Sequence, residues 1–586
     1  MTPTRTETLL TTPSVTSNGS DLPETWLERL VEIRVRRGLR SIGRATLTFD
    51  DPEYALTRSA VLKVGAEVVL KSVDSSATVL LRGAVTGVET EVRRRIGARL
   101  VVTVDDKAYE LTRSAVGETY HEMKLSDVVS QLVSATAMTA EISGLPETRL
   151  PFAMRADSPL GLVDEICLRY GCDWLVDDNK LAVWPATTGN LSGAGSVTLG
   201  IEQELLDLSV RQVSDAPTKV TVRGWDAATK KAVSDTATSP DSRAGGNQPA
   251  SSGKTFVREG GRLAVSTADD AKHVASGLAA RTGRVVARGT ALFSPTLRVG
   301  GMLAIEGAGP SNGSYYVREV THVFDASGAR TAFVAGDRDP VLLSDPWDEP
   351  PSVSSFHRSG LAVALVDGIN DPDNLGRVSV TLPTASDQSK SAWARVLQPG
   401  AGASRGHLFM PDVNDEVLVG FEDDDLARPV VLGGLFGGTT KPHRTAVEQG
   451  KVVKQAIQTS SGHVLEFSEG EAPAEQHVLV AAAGGTQRLR LGKDTVTLEA
   501  KSGVPLTIKV GDASIAFDGN GAITIDATTI TLKATSKVEV EATDVALKAT
   551  SGLTMQGTTT SLKAQAQGVV ESSGIQEIKG AMVKIN

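Results

Sequence analysis

The sequence predicts a mainly β protein: a β-rich N-terminal half with small helical insertions, a compact barrel, and a C-terminal intertwined triple-stranded β-helix. Three observations predict it. Aromatic residues are only 4% of the chain while glycine is abundant and Thr and Val recur throughout, a strand-forming composition. Between Trp26 and Leu111, apolar alternation is punctuated by Gly and Asp about every ten residues, the spacing of short strands in a small barrel. From Val496 to Ile585 the chain advances in two-residue apolar beats, including Ile508/Val510, Ile515/Phe517, Ile523/Ile525, Ile530/Leu532, Val538/Val540, Val545/Leu547 and Leu553/Met555. Members of each pair stand at i and i+2 and therefore on one side of an extended chain.

Taken in order, residues 1–24 are rich in Thr, Ser and Pro and read as a disordered tail. Residues 25–345 read as one β-rich region, a small barrel followed by a second β region from about 200, with helical insertions. The insertions fall at 126–137, opened by a capping Ser126, at 159–169, opened by Ser-Pro and closed by Gly171, and at 268–281. A loop rich in Ser, Gly, Asp and Pro lies at about 236–254. Pro and Ser mark 346–360 as a linker. A compact all-β unit follows at 361–440, a connector at 441–490, and the terminal thread at 491–586.

The thread cannot fold alone. Burying two branched side chains contributes roughly 3–6 kcal/mol per segment, whereas ordering each of its seven or eight residues costs on the order of 1–2 kcal/mol of backbone entropy. Copies wound around a shared axis would close the backbone edges and bury the beats. At about 4.8 Å per layer, roughly a dozen segments give a shaft of about 60 Å. A single-chain parallel β-helix would show coils of about 20 or more residues, longer than this period near 7.5.

The formal charge of −10 supplies no general attraction to nucleic acid or anionic lipid. Arg34, Arg36, Arg37, Arg40 and Arg93 to Arg95 read as solvated strand faces. No run is long and apolar enough to span a bilayer, so no stable membrane insertion is expected. The N-terminus lacks a signal-peptide core, which predicts cytoplasmic assembly. Cys167 and Cys172 have no nearby His to complete a zinc site and read as buried packing.

The most specific stretch is the compact unit. Asn370-Asp371-Pro372-Asp373 with Gly376-Arg377 is followed by Trp393-Ala394-Arg395-Val396, by Met410-Pro411 with Asp415-Glu416, and by Arg428-Pro429-Val430 with Gly433. These blocks resemble the oligosaccharide/oligonucleotide-binding (OB) barrel of spike proteins in contractile injection machines, the valine-glycine repeat protein G (VgrG) family and its phage-tail relatives. Independently, Asp-Pro-Asp and Gly376 suit turns, and LAVALV, VSVTL, WARVL, EVLVGF and PVVLGGLF suit five half-buried strands closing a small barrel. Downstream, Thr459-Ser460-Ser461-Gly462-His463 with Leu465-Glu466-Phe467 resembles the family's entry into its needle. Upstream, Val299-Gly300-Gly301, Gly313 to Val317 and His322 resemble the late-control protein D or tail-hub domain. Leu382-Pro383-Thr384 replaces the aromatic-Trp-Asp motif of many type VI spikes, which points toward an extracellular or phage-tail-like particle.

The resemblance implies a homotrimeric spike and hub. Its expected partners are the inner tube and baseplate proteins at the hub end, a PAAR-type (proline-alanine-alanine-arginine) cone at the tip, and effector cargo. The implied tip contacts are Gly580, Met582, Val583, Lys584, Ile585 and Asn586. The resemblance also implies two similar β-barrel subdomains within residues 25–345 and a contractile particle assembled in the cytoplasm. A type VI secretion spike is the nearest alternative, and a β-rich adhesin or carbohydrate-binding trimer is the alternative of a different class.

No enzyme, cofactor or metal is expected. About fifty residues between barrel and thread leave no room there for a catalytic domain. Gly309-Pro310-Ser311-Asn312-Gly313 matches a nucleophile elbow by pattern, but a strand-like run follows where a helix is required. Gly253-Lys254-Thr255 lacks the first glycine of a phosphate loop, Gln248 standing in its place. Asp371/Asp373 and Asp423 to Asp425 lack calcium-loop spacing and read as solvated turns.

Overall fold

The computed structural model describes residues 12–74, 77–94, 97–113, 119–154, 158–212, 217–226, 229–240, 243–245, 257–259, 265–337, 360–383 and 390–585. The linker at 346–359, Gln248, Gly253 to Thr255, Thr384 and Asn586 lie outside them. The chain divides into two compact units, residues 1–441 and 442–586.

In the first unit, thirteen strands among the described residues share one sheet. Arg44–Asp50, Gly97–Asp105 and Gly328–Gly336 each alternate buried with half-buried or exposed residues, because successive strand side chains point to opposite faces. The buried rows form two strand-built cores, one around Ile33, Leu47, Phe49 and Leu100, the other around Trp184, Leu303, Tyr315 and Phe333. The two halves are joined backbone to backbone: Gly313–Asp325 pairs antiparallel with Leu30–Gly38, His322 opposite Val35.

The supposed N-terminal tail is structured over most of its described part. Ser14–Ser17 pairs with Glu67–Lys71, Ser20–Asp21 pairs back onto it, and one helical turn follows at Glu24–Leu27. Val15, Leu22 and Trp26 are buried, and the Ser17 hydroxyl donates to the Val61 carbonyl at 2.6 Å. Three apolar side chains among polar neighbours are enough here, since the edge of Glu67–Lys71 offers a ladder that composition does not reveal.

Among the described residues, three helices share a third core with Trp174 and Val183. Helix α1 runs Leu125–Ser134 and starts one residue before the expected capping Ser126; its N-cap is Lys124, with no side-chain bond. Helix α2, Pro159–Tyr170, is capped by Ser158, whose Oγ accepts from the Gly161 amide at 3.1 Å, and ends at Gly171 in the left-handed region, φ +71°. Helix α3, Ala268–Ala279, is capped by Thr267. Gly277 of α3 meets the end of α2 so closely that a Cβ there would lie 2.2 Å from the Arg169 carbonyl oxygen. Cys167 and Cys172 are both buried free thiols, and burial pushes the Cys172 thiol up to about 12.

The compact unit closes as a barrel of Ala362–Gly368, Arg377–Thr381, Ala394–Val396, Pro429–Gly434 and Glu416–Phe421, each bonded to its neighbour in that order and the last to the first. The pairing of Ala394–Val396 with Pro429–Gly434 is parallel and the others are antiparallel. Its core is small and aliphatic: Ala364, Val366, Val378, Val380, Ala394, Val417, Val419 and Val431.

The second unit departs from the expected thread at its start. Lys454–Gln458, Val464–Glu469, Gln476–Ala481, Arg488–Gly492 and Val496–Glu499 form one antiparallel meander, so the expected boundary at 491 falls inside a sheet. Leu506–Val510, Ala513–Phe517 and Ile523–Asp526 form a second meander within the chain, where one strand per layer from each copy was expected. The reason is local: Gly511 and Gly519 adopt positive φ, and Asp518 accepts from the amides of Asn520 and Ala522, which together build tight reversals. Residues 527–551 contain no glycine. From 527 to 585 no strand-to-strand ladder forms among the described residues.

Candidate functional site

The extended segment from 527 onward carries the exposed apolar side chains that most need an explanation. Ile530, Leu532, Val538, Val540, Val545, Leu547, Leu553 and Met555 are all more than half exposed. Each such side chain forgoes about 1.5–3 kcal/mol that burial would contribute. The pairs recur every seven or eight residues of the sequence, and among the described residues no ladder takes up the amides and carbonyls between them. An exposed apolar row with open backbone edges is an assembly surface.

At its end, Met582 and Ile585 are more than three-quarters exposed and Val583 about half, with Gly580 and Lys584 exposed beside them. Asn586 lies outside the described residues.

The barrel motif residues lie in its turns and strands. Asp371 is the centre of the first turn. Its buried carboxylate accepts from the amides of Asp373, Leu375 and Arg377 at 3.1, 2.8 and 3.2 Å and is gripped by the Arg377 guanidinium at 2.6 and 3.0 Å. Arg377 also reaches Asp373 at 2.6 Å. These bonds, the Arg377 contacts foremost, hold the Asp371 carboxyl well below the usual range. Asn370 and Pro372 are exposed, and Gly376 takes φ +72°. In the next turn Asp415 accepts from the Asp412 amide at 2.8 Å while its own carbonyl binds the Val366 amide, after the exposed Met410 and half-buried Pro411. Glu416 stands opposite Leu365, and Gly433 opposite Leu418. Trp393 is half-buried; Glu422 bonds Arg395 and lies 3.5 Å from Arg428, which precedes the buried Pro429. Of the acids read as solvated turns, Asp371 is instead a buried staple, because Arg377 stands six residues on from it, and Asp425 is buried as well.

The entry motif also builds structure. Thr459 and His463 exchange bonds across the turn containing Gly462, and the Ala483 amide donates to His463 Nδ1 at 3.2 Å, leaving the ring proton on Nε2. Glu466, buried in the next strand, is held by Arg444 at 2.8 Å with His477 at 3.7 Å. The arginine and histidine were not legible as partners, since each is distant in sequence.

Gly309–Ser311 is a 3-10 turn followed by the strand Gly313–Asp325, so the serine lacks the strand-to-helix setting of an elbow; its carbonyl accepts from Tyr315. Among the described residues, no group of three or more His, Cys, Asp or Glu is placed to hold a metal.

Comparison with known proteins places these parts. The family model of the Alg8 N-terminal domain matches residues 7–325, more than half of the chain. The type VI secretion system/phage-baseplate injector OB domain matches residues 362–436. The type VI secretion system spike protein VgrG3 of Vibrio cholerae is 34% identical over 116 residues, 19% of this chain and 11% of the relative. VgrG2a of Pseudomonas aeruginosa is 36% identical over 74 residues, 12% of this chain and 9% of the relative. The matched stretch thus spans about a tenth of these relatives' length. Among solved structures, the lidded Francisella PdpA-VgrG complex aligns at TM-score 0.46 and 10% identity, covering 88% of this chain and 80% of that one. The E. coli c3393 protein, a type VI secretion component, aligns at 0.45 and 14%, covering 72% and 99%. At these scores the two structures add nothing to the assignment. Over residues 7–325 the chain belongs to the Alg8 N-terminal-domain family, and with the injector OB barrel that follows it is a VgrG-like spike protein.

Proposed function

We propose that this protein is the structural spike and hub of a contractile injection apparatus, acting as a homotrimer. The observation that carries the reading is the exposed apolar row at 527–585, which has no partner strand among the described residues of its own chain. Three copies wound together bury that row and pair its backbone, giving a shaft stiff enough to carry load. The hub then joins the trimer to the inner tube and baseplate, and Met582, Val583 and Ile585 present an apolar end to a PAAR-type cone. Effector cargo travels with this assembly. The work is mechanical, and we assign no catalysis to the chain; peptidoglycan hydrolysis by the purified protein would overturn that part.

Assembly takes place in the cytoplasm, and the particle is an extracellular or phage-tail-like one. A type VI secretion spike is the second reading, favoured by the spike proteins VgrG3 and VgrG2a among the relatives. The native mass of the purified chain tests the central point. The expected value is three times that of the 61.3-kDa chain, and a monodisperse single copy with an ordered thread would overturn the proposal. Deleting residues 580–586 tests the tip: cone binding should be lost with the trimer intact.

A further inference from the structure

We propose that Arg169 of the hub and Asp425 of the barrel form a positioning latch that fixes the barrel against the hub within each chain. Arg169 lies in the last turn of α2. Its Nη2 donates to Asp270 Oδ2 of α3 at 3.1 Å, and its Nη1 lies 3.8 Å from Asp425 Oδ2 in the barrel loop after Glu416–Phe421. Tyr170 donates its hydroxyl proton to the other Asp270 oxygen, also at 3.1 Å. The side chains of Arg169, Asp270 and Asp425 are only 18, 21 and 11% exposed. With Arg428 acting electrostatically on the same group, the sequence Asp270, Arg169, Asp425, Arg428 alternates in sign across the joint.

Both sides are shaped for the contact. On the hub, Asp270 and Gly277 are seven residues apart and so share a face of α3. The absence of a side chain at Gly277 lets that face close onto the end of α2. On the barrel, Asp423 and Asp424 both adopt positive φ, +53° and +60°, a conformation unfavourable for side-chain-bearing residues. The loop is held there by the Asp425 amide donating to the Glu422 carbonyl, the Arg428 amide to the Asp425 carbonyl, and the buried Leu426. Asp425 Oδ1 accepts from the Ala427 amide at 2.9 Å, so the loop secures one carboxylate oxygen and turns the other to Arg169. Burial works against a charge on Arg169, yet Tyr170, Asp270 and Asp425 hold its pKa above the ordinary arginine range. A charge this enclosed is weakly screened, and removing one partner leaves the others uncompensated.

The latch stands on this geometry alone and does not depend on the spike reading. Hydrogen exchange, followed by mass spectrometry on the full chain, tests it with Asp425→Asn, Arg169→Met and the double variant. Asp425→Asn keeps the Oδ1 acceptor but turns an amide NH2 toward Arg169. It should raise exchange about tenfold at the end of α2 and the start of α3, on the hub side, with the barrel strands still protected. Arg169→Met should loosen residues 422–428 in the same way, and the double variant should be no worse than the worse single one. Effects confined to the substituted side, or multiplying in the double variant, would overturn the latch. If Arg169→Met fails to fold, the response of the hub amides to Asp425→Asn decides the matter alone.

Discussion

Asp371 and Asp106 show how the same residue type serves opposite ends. Asp371 is a carboxylate kept charged by Arg377 and three amides. Asp371→Asn removes the charge and one acceptor oxygen, and should cost the barrel about 1–3 kcal/mol. The folded pKa is depressed, so the contribution is fully present above the unfolded value near 4 and fades as pH falls below it. Urea midpoints of wild type and variant should therefore differ equally at pH 7 and 5 and converge in stronger acid. Asp106 lies the other way. Burial pushes its carboxyl up to about 7, against the pull of Arg37 and the amides of Gly43 and Ala108. A raised carboxyl pKa means that stability falls as pH climbs from about 4 to about 7. Asp106→Asn lacks this dependence, and its deficit in melting temperature relative to wild type should shrink between pH 5 and pH 8.

At the scale of elements, two features divide local from cooperative structure. The α2–α3 crossing depends on Gly277, where an added Cβ meets backbone atoms of Arg169 and Gly171 that cannot swing aside. Gly277→Ala should destabilise the hub by about 1–3 kcal/mol, read from its urea transition. Beyond Asp526 the hairpins stop, and among the described residues no strand-to-strand ladder forms from 527 to 585. Replacing Ile530 and Leu532 by Thr removes much of two apolar burials, together about 3–6 kcal/mol per chain if the thread winds with its copies. The expected outcome is loss of the trimer in native mass measurements. Tryptophan fluorescence should stay unchanged, because all six tryptophans precede residue 394 and none lies in the thread. A thread that is merely a solvated tail would leave the mass unaffected.

For the whole molecule, the sequence by itself determined the kinds of element and where partners would be required. Period-two alternation marked the strands, Ser158 and Gly171 bounded α2, the Asp-Pro-Asp turn and its neighbours marked the barrel, and the paired apolar beats marked a thread that one chain leaves uncovered. These signals are local, because side-chain direction and turn chemistry depend on residues only a few positions apart. Tertiary structure alone decided which edges met. It drew Ser14–Ser17 onto Glu67–Lys71, joined the two hub halves through Leu30–Gly38, folded 454–526 into meanders, and placed Asp425 beside an arginine some 250 positions earlier. Strand pairing and ion contacts at such separations are set by packing of whole elements, and an open edge or a buried charge takes whichever partner that packing delivers.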